Sequence, residues 1–197
     1  MKTSAIVFIL ASLITTTAAC SSGEFETLAN EAEGIYQVQS HTENLASCEP
    51  GGESLLDPGS DQYLVARKQE IFGTPIMYIW SCASPADCRN KLTRIDAGEF
   101  VAIDFSFTLS SVDGGSLAGL TANTGFYMNG TCTEGGTADI SLSVDADGLT
   151  LVEARTIADD YSADSDGFCT TDLAQDAAAG NECSEMETLT AVFVESL

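Results

Sequence analysis

Residues that could perform catalytic chemistry are present in this sequence, but no type and spacing singles out a catalytic set. His41 is the only histidine, so zinc chemistry based on several histidines is excluded by number. A serine–histidine–aspartate triad through His41 is formally allowed, but no nucleophile-turn motif surrounds it. None of the 30 acidic residues forms a pair that spacing singles out for acid–base work, and phosphate-loop and dinucleotide motifs are missing. We therefore assign no catalytic residue, and the sequence argues against an enzyme.

An aspartate-rich stretch is the best candidate for a metal site. Asp160, Asp164 and Asp166 precede Gly167, and oxygen-rich loops of this kind bind calcium. Placing Gly167 at the sharp turn of a calcium loop puts a serine first and a leucine last, where acidic ligands are required. We favour a solvated acidic loop and keep calcium as the weaker alternative; no other cofactor is predicted.

The seven cysteines give the strongest constraint on the chain. Cysteines of exported proteins form disulfides, and an odd cysteine needs a separate explanation. Setting Cys20 aside leaves six, enough for three bridges. Two predicted bridges close short loops and the third joins two long loops; the pairs are Cys82–Cys88, Cys169–Cys183 and Cys48–Cys132.

The N-terminus has the pattern of an export signal. Lys2 is followed by an apolar run over 5–14 and by small or hydroxylated residues up to Cys20. The run is too short to span a bilayer, which requires about 20 apolar residues. Residues 17–20, with the sequence TAAC, resemble the lipobox of bacterial lipoproteins, which implies cleavage before Cys20 and lipidation of its thiol. The alternative is ordinary signal cleavage at the same bond, with a free thiol on Cys20.

The lipoprotein resemblance implies a place in the cell and a division of the chain. The protein is expected in the bacterial cell envelope, held to the lipid bilayer by its N-terminal lipid. In that family an aspartate after the lipidated cysteine signals inner-membrane retention, so Ser21 implies the outer membrane. The expected divisions are a signal peptide over 1–19, a lipidated acidic tether over 20–33, and one disulfide-bonded β domain over 34–197.

The net charge limits the partners. It is −23 for the chain, and removing residues 1–19 takes away Lys2 and no acidic residue, which gives −24. Nucleic acid is excluded as a partner because its phosphates need Lys and Arg. Electrostatic adhesion to anionic headgroups is excluded for the same reason, so membrane attachment must come from the lipid.

Hydrophobic residues alternate with polar ones at a period of two, which predicts strands. The clearest example is the apolar series from Val101 to Leu109, with Ile103 between them. The predicted strands are 34–41, 62–71, 75–82, 101–109, 117–128, 138–145, 149–158 and 188–194.

The connections between these strands alternate in length. Short Gly- and Asp-containing turns alternate with long connections that contain all six remaining cysteines. Because alternate connections of an up-and-down meander lie at the same end, the cysteines are expected at one end and the tight turns and both termini at the other. Closing the sheet removes its exposed edges. The predicted fold class is all-β, an eight-stranded up-and-down antiparallel barrel with short helical segments in the long loops; a β-sandwich is the alternative.

The start of the first strand carries a second resemblance. Gly34-Ile35-Tyr36 is similar to the Gly-x-Trp opening of lipocalins and related calycin barrels, with Tyr in place of Trp. This resemblance implies a lipocalin-like shape.

An eight-strand barrel is either filled by side chains or holds one small ligand. The expected function is a membrane-anchored lipoprotein that binds a small apolar ligand at the cysteine-bearing mouth. Its expected lining residues are Tyr36, Trp80, Phe105, Phe107 and Phe193. The alternatives are a structural or protein-interaction lipoprotein with a filled core, and a calcium-binding surface domain.

Overall fold

The computed structural model describes residues 17–55, 62–101, 103, 106–123, 126–128, 131–133, 135–158 and 160–197. Three helices lie within these residues: α1 (Thr17–Ala32), α2 (Pro85–Asp96) and α3 (Thr171–Ala178). The strands are β1 (Gly34–Asn44), β2 (Glu53–Ser54), β3 (Tyr63–Ile71), β4 (Thr74–Cys82), β5 (Ser106–Leu109), β6 (Ser111–Asp113), β7 (Ser116–Asn123), β8 (Phe126–Met128), β9 (Thr131–Thr133), β10 (Gly135–Val144), β11 (Leu149–Ala158), β12 (Tyr161–Ser162) and β13 (Glu185–Glu195).

Nine of the strands form an antiparallel, nearly closed barrel. Their order is β5-β4-β3-β1-β13-β11-β10-β7-β6, and β2 adds a short pairing to β1. Only Ser110 separates β5 from β6, and its amide donates a hydrogen bond to the Ala118 carbonyl at 2.9 Å. The two ends of the strand path therefore lie beside each other, which leaves little of the sheet edge unpaired.

The strand count differs from the predicted eight for a local reason. Of the strand predicted over 101–109, residues 102, 104 and 105 lie outside the described part, and Ser106–Leu109 forms β5. The chain changes partner at Ser110: β5 pairs with β4, whereas β6 pairs with β7. The strand predicted over 117–128 is also divided, into β7 and β8. The strands form one nearly closed sheet with a small second sheet beside it, and the sandwich alternative is not observed.

The inner face of the barrel holds the main hydrophobic core, as the alternation predicts. Its members come from eight of the barrel strands and from α1: Phe25, Ala29, Ala32, Tyr36, Val38, Leu64, Ala66, Met77, Ile79, Leu109, Leu117, Ile140, Leu142, Leu149, Leu151, Leu189 and Ala191. All of these residues are buried.

Helix α1, which includes most of the segment 20–33 predicted to be a tether, packs against the barrel. Phe25, Ala29 and Ala32 are buried in the core, and the helix contacts β3, β4, β6, β7 and β10. Lys68 Nζ on β3 lies 2.7 Å from Glu26 Oε2 and donates to it. An apolar residue recurs every three or four positions along the helix, and burying that face stabilises the packed position over a free one. The helix therefore covers the tight-turn end of the barrel.

Helix α2 covers part of the outer face. Its first turn is capped by Ser84, whose Oγ accepts the Asp87 amide at 3.1 Å, with Pro85 at the first helical position. The helix shields Val65 and Trp80, which point away from the barrel interior, together with the Cys82–Cys88 disulfide.

The end opposite α1 is covered by α3 and by the three-stranded sheet β12-β9-β8. The structure contains the predicted Cys82–Cys88 bridge, but the other two pairings are wrong: Cys48 is bonded to Cys183, and Cys132 to Cys169. The cause is the pairing of Tyr161 in β12 with Cys132 in β9, which brings the following loop and its Cys169 to β9. Cys48, Cys183, Cys132 and Cys169 lie at this end, which we call the disulfide-bridged end. The Cys82–Cys88 bridge lies apart from them, beneath α2 on the outer face, whereas all six cysteines were expected at one end.

Candidate functional site at the disulfide-bridged end

The five aromatic residues predicted to line a ligand cavity do not face one space. Tyr36 and Phe107 pack in the inner core. Trp80 belongs to the outer cluster beneath α2, so its predicted role is wrong because it has the opposite strand parity. Phe193 is 55% exposed at the tight-turn end, and Phe105 lies outside the described residues.

Tyr36 joins α1 to the barrel. Its hydroxyl donates to the Ala32 carbonyl at 3.0 Å, and burial raises the pKa of Tyr36 above its ordinary value. Its ring meets that of Phe193 edge to face, with 5.6 Å between centroids. A Cβ at Gly34 would lie 2.8 Å from the Phe193 ring, so this packing requires glycine there. The Gly34-Ile35-Tyr36 segment therefore fixes the helix–barrel junction.

Of the three aspartates predicted as a weak calcium site, Asp164 shapes a turn through its side chain. Asp164 Oδ1 accepts the amides of Asp166 at 2.9 Å and Phe168 at 2.7 Å, which makes the local turn. Asp160 and Asp166 are exposed. Within the described part of the chain, no three His, Cys, Asp or Glu side chains are grouped so that they could hold a metal ion.

A charged cluster occupies the inner face of β1, β11 and β13 near the disulfide-bridged end. Leu151 and Leu189 oppose each other in the core. With a side-chain period of two, the residues two positions further along these strands, Glu153 and Glu187, also oppose each other on that face. Arg155 and Glu185 form the next opposed pair. The inner face therefore changes from apolar to charged towards this end.

Arg155 joins the carboxylates of this cluster. Its Nε lies 2.9 Å from Glu153 Oε1, its Nη2 2.7 Å from Glu187 Oε1, and its Nη1 3.9 Å from Glu185 Oε1. Like charges directly opposite each other destabilise a sheet, so Glu153 and Glu187 require a cation between them. His41 Nε2 lies 3.0 Å from the other Glu187 oxygen. The cluster holds three carboxylates against one guanidinium and one imidazole.

The neighbours of Arg155 and Glu187 in the cluster favour the charged form of each side chain. The pKa of Arg155 is raised above its ordinary value, mainly by its hydrogen bond to Glu153, although burial acts against this. The pKa of Glu187 is lowered, mainly by its hydrogen bond with His41, with Arg155 adding to the effect and burial opposing it. Because an ionised carboxylate only accepts, His41 Nε2 must be the donor in this bond.

Replacing Glu187 with Gln is expected to reduce the acid sensitivity of the fold. The lowered pKa means that ionised Glu187 stabilises the folded chain above its ordinary pKa of 4.5. This stabilisation is lost as the pH falls through the lower pKa that Glu187 has in the folded chain. Urea midpoints measured from neutral pH to below 4.5 should therefore fall less for Glu187→Gln than for the wild type. Glu49→Gln, at an exposed position, is the control; equal curves for wild type and Glu187→Gln would contradict the assignment.

The cluster opens to solvent through a recess of about 270 Å³. Arg155 and Glu185 lie on its wall with Gly135, Gly136 and Ile157. A Cβ at Gly136 would lie 2.4 Å from the Thr156 carbonyl, so the wall is close-packed at that point. The side chains of Glu185 and Glu187 are each 15% exposed and that of Arg155 is 32% exposed. The recess can therefore present carboxylate oxygens to a cationic group.

Sequence reasoning named none of this cluster as a site and assigned His41 no catalytic role. The available signal was the continuation of the alternation: Leu149 and Leu151 are followed on the same face by Glu153 and Arg155. A strand that places charges on its core face marks either a barrel mouth or a buried polar network.

Comparison with protein-family models, with curated proteins and with solved structures finds no match to this chain. Among the residues described, no helix has the length and apolar character that crossing a bilayer requires.

Proposed function

We propose that this protein is an extracytoplasmic, lipid-anchored interaction protein whose disulfide-bridged end meets a partner. The domain is a lipocalin-like barrel in this proposal, because β5 and β6 can be counted as one bent strand and the path then has eight strands. The proposal assigns no catalytic residue.

The packing of α1 is the observation that carries this choice. Phe25, Ala29 and Ala32 belong to the same buried cluster as the inner-face residues of the barrel. Lipocalin-like barrels that carry ligands leave this apolar space open. Here the chain's own helix packs into it, which supports the filled-core alternative over an apolar ligand site.

The charges at the disulfide-bridged end support a partner with a basic group. Three largely buried carboxylates face one arginine and one histidine, and the chain has a net charge of −23. A negatively charged surface favours the approach of cationic groups and repels anionic ones. The Cys48–Cys183 bridge joins the segments that precede β13 and follow β1, so less conformational entropy is lost when a partner binds there.

The proposed location rests on the cysteines. Three disulfides are typical of an oxidising compartment outside the cytoplasm. Cys20 is the remaining cysteine, and the lipobox-like residues 17–20 account for it as the lipidated residue.

Intact mass of the membrane-extracted protein should show cleavage before Cys20 and added acyl chains, and Cys20→Ala should lack them.

Two titrations of the full chain test the interaction proposal. An environment-sensitive apolar dye should show no saturable binding, because the inner core is occupied. A short lysine peptide should shift NMR signals at the disulfide-bridged end, and Glu185→Gln should weaken this binding. Glu182→Gln is the matched control, since Glu182 is exposed and lies outside the cluster. Saturable dye binding by the wild type would restore the apolar-ligand function, and equal peptide binding by both variants would remove the recess from the proposal.

A further inference from the structure

We infer that the tip of the β3–β4 hairpin is a second membrane contact, in which Phe72 inserts into the bilayer that holds the Cys20 lipid. This inference rests on the lipid anchor of the proposed function. It assigns a role to a residue that the fold itself does not need.

Phe72 is poorly suited to its position by two independent criteria. Its side chain is 103% exposed and its neighbour Ile71 is 47% exposed. Ile71 pairs with Thr74, so Phe72 and Gly73 form a two-residue turn, and both have positive φ, 50° and 81°. Turns of this kind favour asparagine followed by glycine, because left-handed backbone is unfavourable for a bulky side chain. Neither the turn nor the core therefore accounts for a phenylalanine here.

The hairpin projects from the end of the barrel where α1 lies. Gly34, the first residue of β1, pairs with Ala66, and β3 continues over 67–71 beyond that point. At the usual rise of a strand, these residues extend the hairpin by about 16 Å. Lys68 on this extension binds Glu26 and Asn30 of α1, with both contacts at 2.7 Å. The hairpin tip and the helix that contains Cys20 therefore leave the barrel at the same end.

The chemistry of the tip fits lipid better than a charged surface. Residues 71–74, Ile-Phe-Gly-Thr, carry no charge. The strongly acidic chain cannot gain attraction from anionic headgroups, so any contact besides the lipid has to be apolar. Aromatic side chains are favoured at the boundary between headgroups and acyl chains. Two contacts at one end fix the orientation of the domain, and the disulfide-bridged end then points away from the membrane.

Two variants, each with one exposed phenylalanine replaced by tryptophan, test whether the hairpin tip contacts the membrane. Phe72→Trp reports on the hairpin tip, and Phe168→Trp reports on the disulfide-bridged end, where Phe168 is 66% exposed beside Cys169. The native Trp80 is fully buried under α2 and gives a constant background. The lipidated full-length protein is reconstituted into phosphatidylcholine vesicles with or without acyl-chain bromination, after intact mass has verified the lipid.

The emission of Phe72→Trp is expected to shift to the blue on vesicles. Brominated lipid should quench it at least about twofold more strongly than it quenches Phe168→Trp, because an indole at the interface lies within reach of the acyl chains. Lipidated protein with equal, weak quenching at both positions overturns the hairpin contact and leaves the anchor standing. Protein whose mass lacks the lipid overturns the anchor, and the inference with it. A blue shift without vesicles that grows with protein concentration assigns the tip to a second copy of the chain and also overturns the inference.

Phe72→Asn separates a membrane role from a structural one. Asparagine before Gly73 suits the turn, so the urea midpoint should be unchanged or raised. The same variant should make the lipidated domain reorient more freely on vesicles, measured as a loss of fluorescence anisotropy from a label at the disulfide-bridged end. A lowered urea midpoint with unchanged anisotropy would mean that Phe72 serves the fold, which contradicts the inference.

Discussion

Replacing Cys48 and Cys183 together with serine is expected to lower the free energy of unfolding by about 5 kcal/mol, because the bridge closes a very long loop. The two cysteines are 135 residues apart in the sequence. Breaking the bond restores to the unfolded chain the conformational freedom that this loop removes. Both cysteines are at least partly exposed, so the serine hydroxyls can be solvated and should add little further cost.

The short bridge provides the matched comparison. Cys82 and Cys88 are only 6 residues apart, and the same loop-entropy relation gives about 2 kcal/mol for removing their bond. Both are fully buried, so alanine is the suitable replacement there. Urea unfolding of the two double variants under non-reducing conditions measures the difference. Equal losses would show that loop closure is not the source of the stability that the bridges provide.

The sequence predicted the barrel because its local signals agree with each other. The alternation that ends at Leu109, the tight turn at Gly73 and the long cysteine-bearing connections each favour the same meander. The strand break at Ser110 could not be predicted, because it depends on which two strands meet when the sheet closes. A local pattern contains no information about that closure.

The disulfide pairings show the same limit. Cys169 and Cys183 are near each other in sequence, which favoured their pairing, but α3 separates them along the chain. Cys132 reaches Cys169 because β12 pairs with β9, a contact between strands that are distant in sequence. Spacing predicts a bridge only where the loop is very short, as between Cys82 and Cys88.

The two ends of the barrel differ in physical character, and sequence reasoning recognised this only in part. It placed the cysteines at one end and the termini at the other, but it treated 20–33 as a linker. The helical spacing of Phe25, Ala29 and Ala32 was the signal that this segment has a buried face. A short amphipathic helix next to a predicted signal peptide is easily interpreted as a tether, because what it packs against is known only from the fold.

The last expected result concerns that helix. Phe25→Ala should lower the free energy of unfolding by about 3–5 kcal/mol, since the ring is 3% exposed and its removal leaves a cavity in a close-packed core. The cavity should also convert the barrel into a weak apolar binding site, because space lined by hydrocarbon can admit a small apolar molecule.

Urea unfolding and titration with the apolar dye, measured on the same preparation, test both parts of this prediction. Glu24→Ala, an exposed change one residue away on the same helix, should leave stability and dye binding close to the wild type. A Phe25→Ala variant as stable as Glu24→Ala would mean that α1 does not fill the barrel in solution, and the interior would again be available as a ligand site. Loss of stability together with new dye binding would instead establish that the chain uses its own N-terminal helix as the occupant of the barrel.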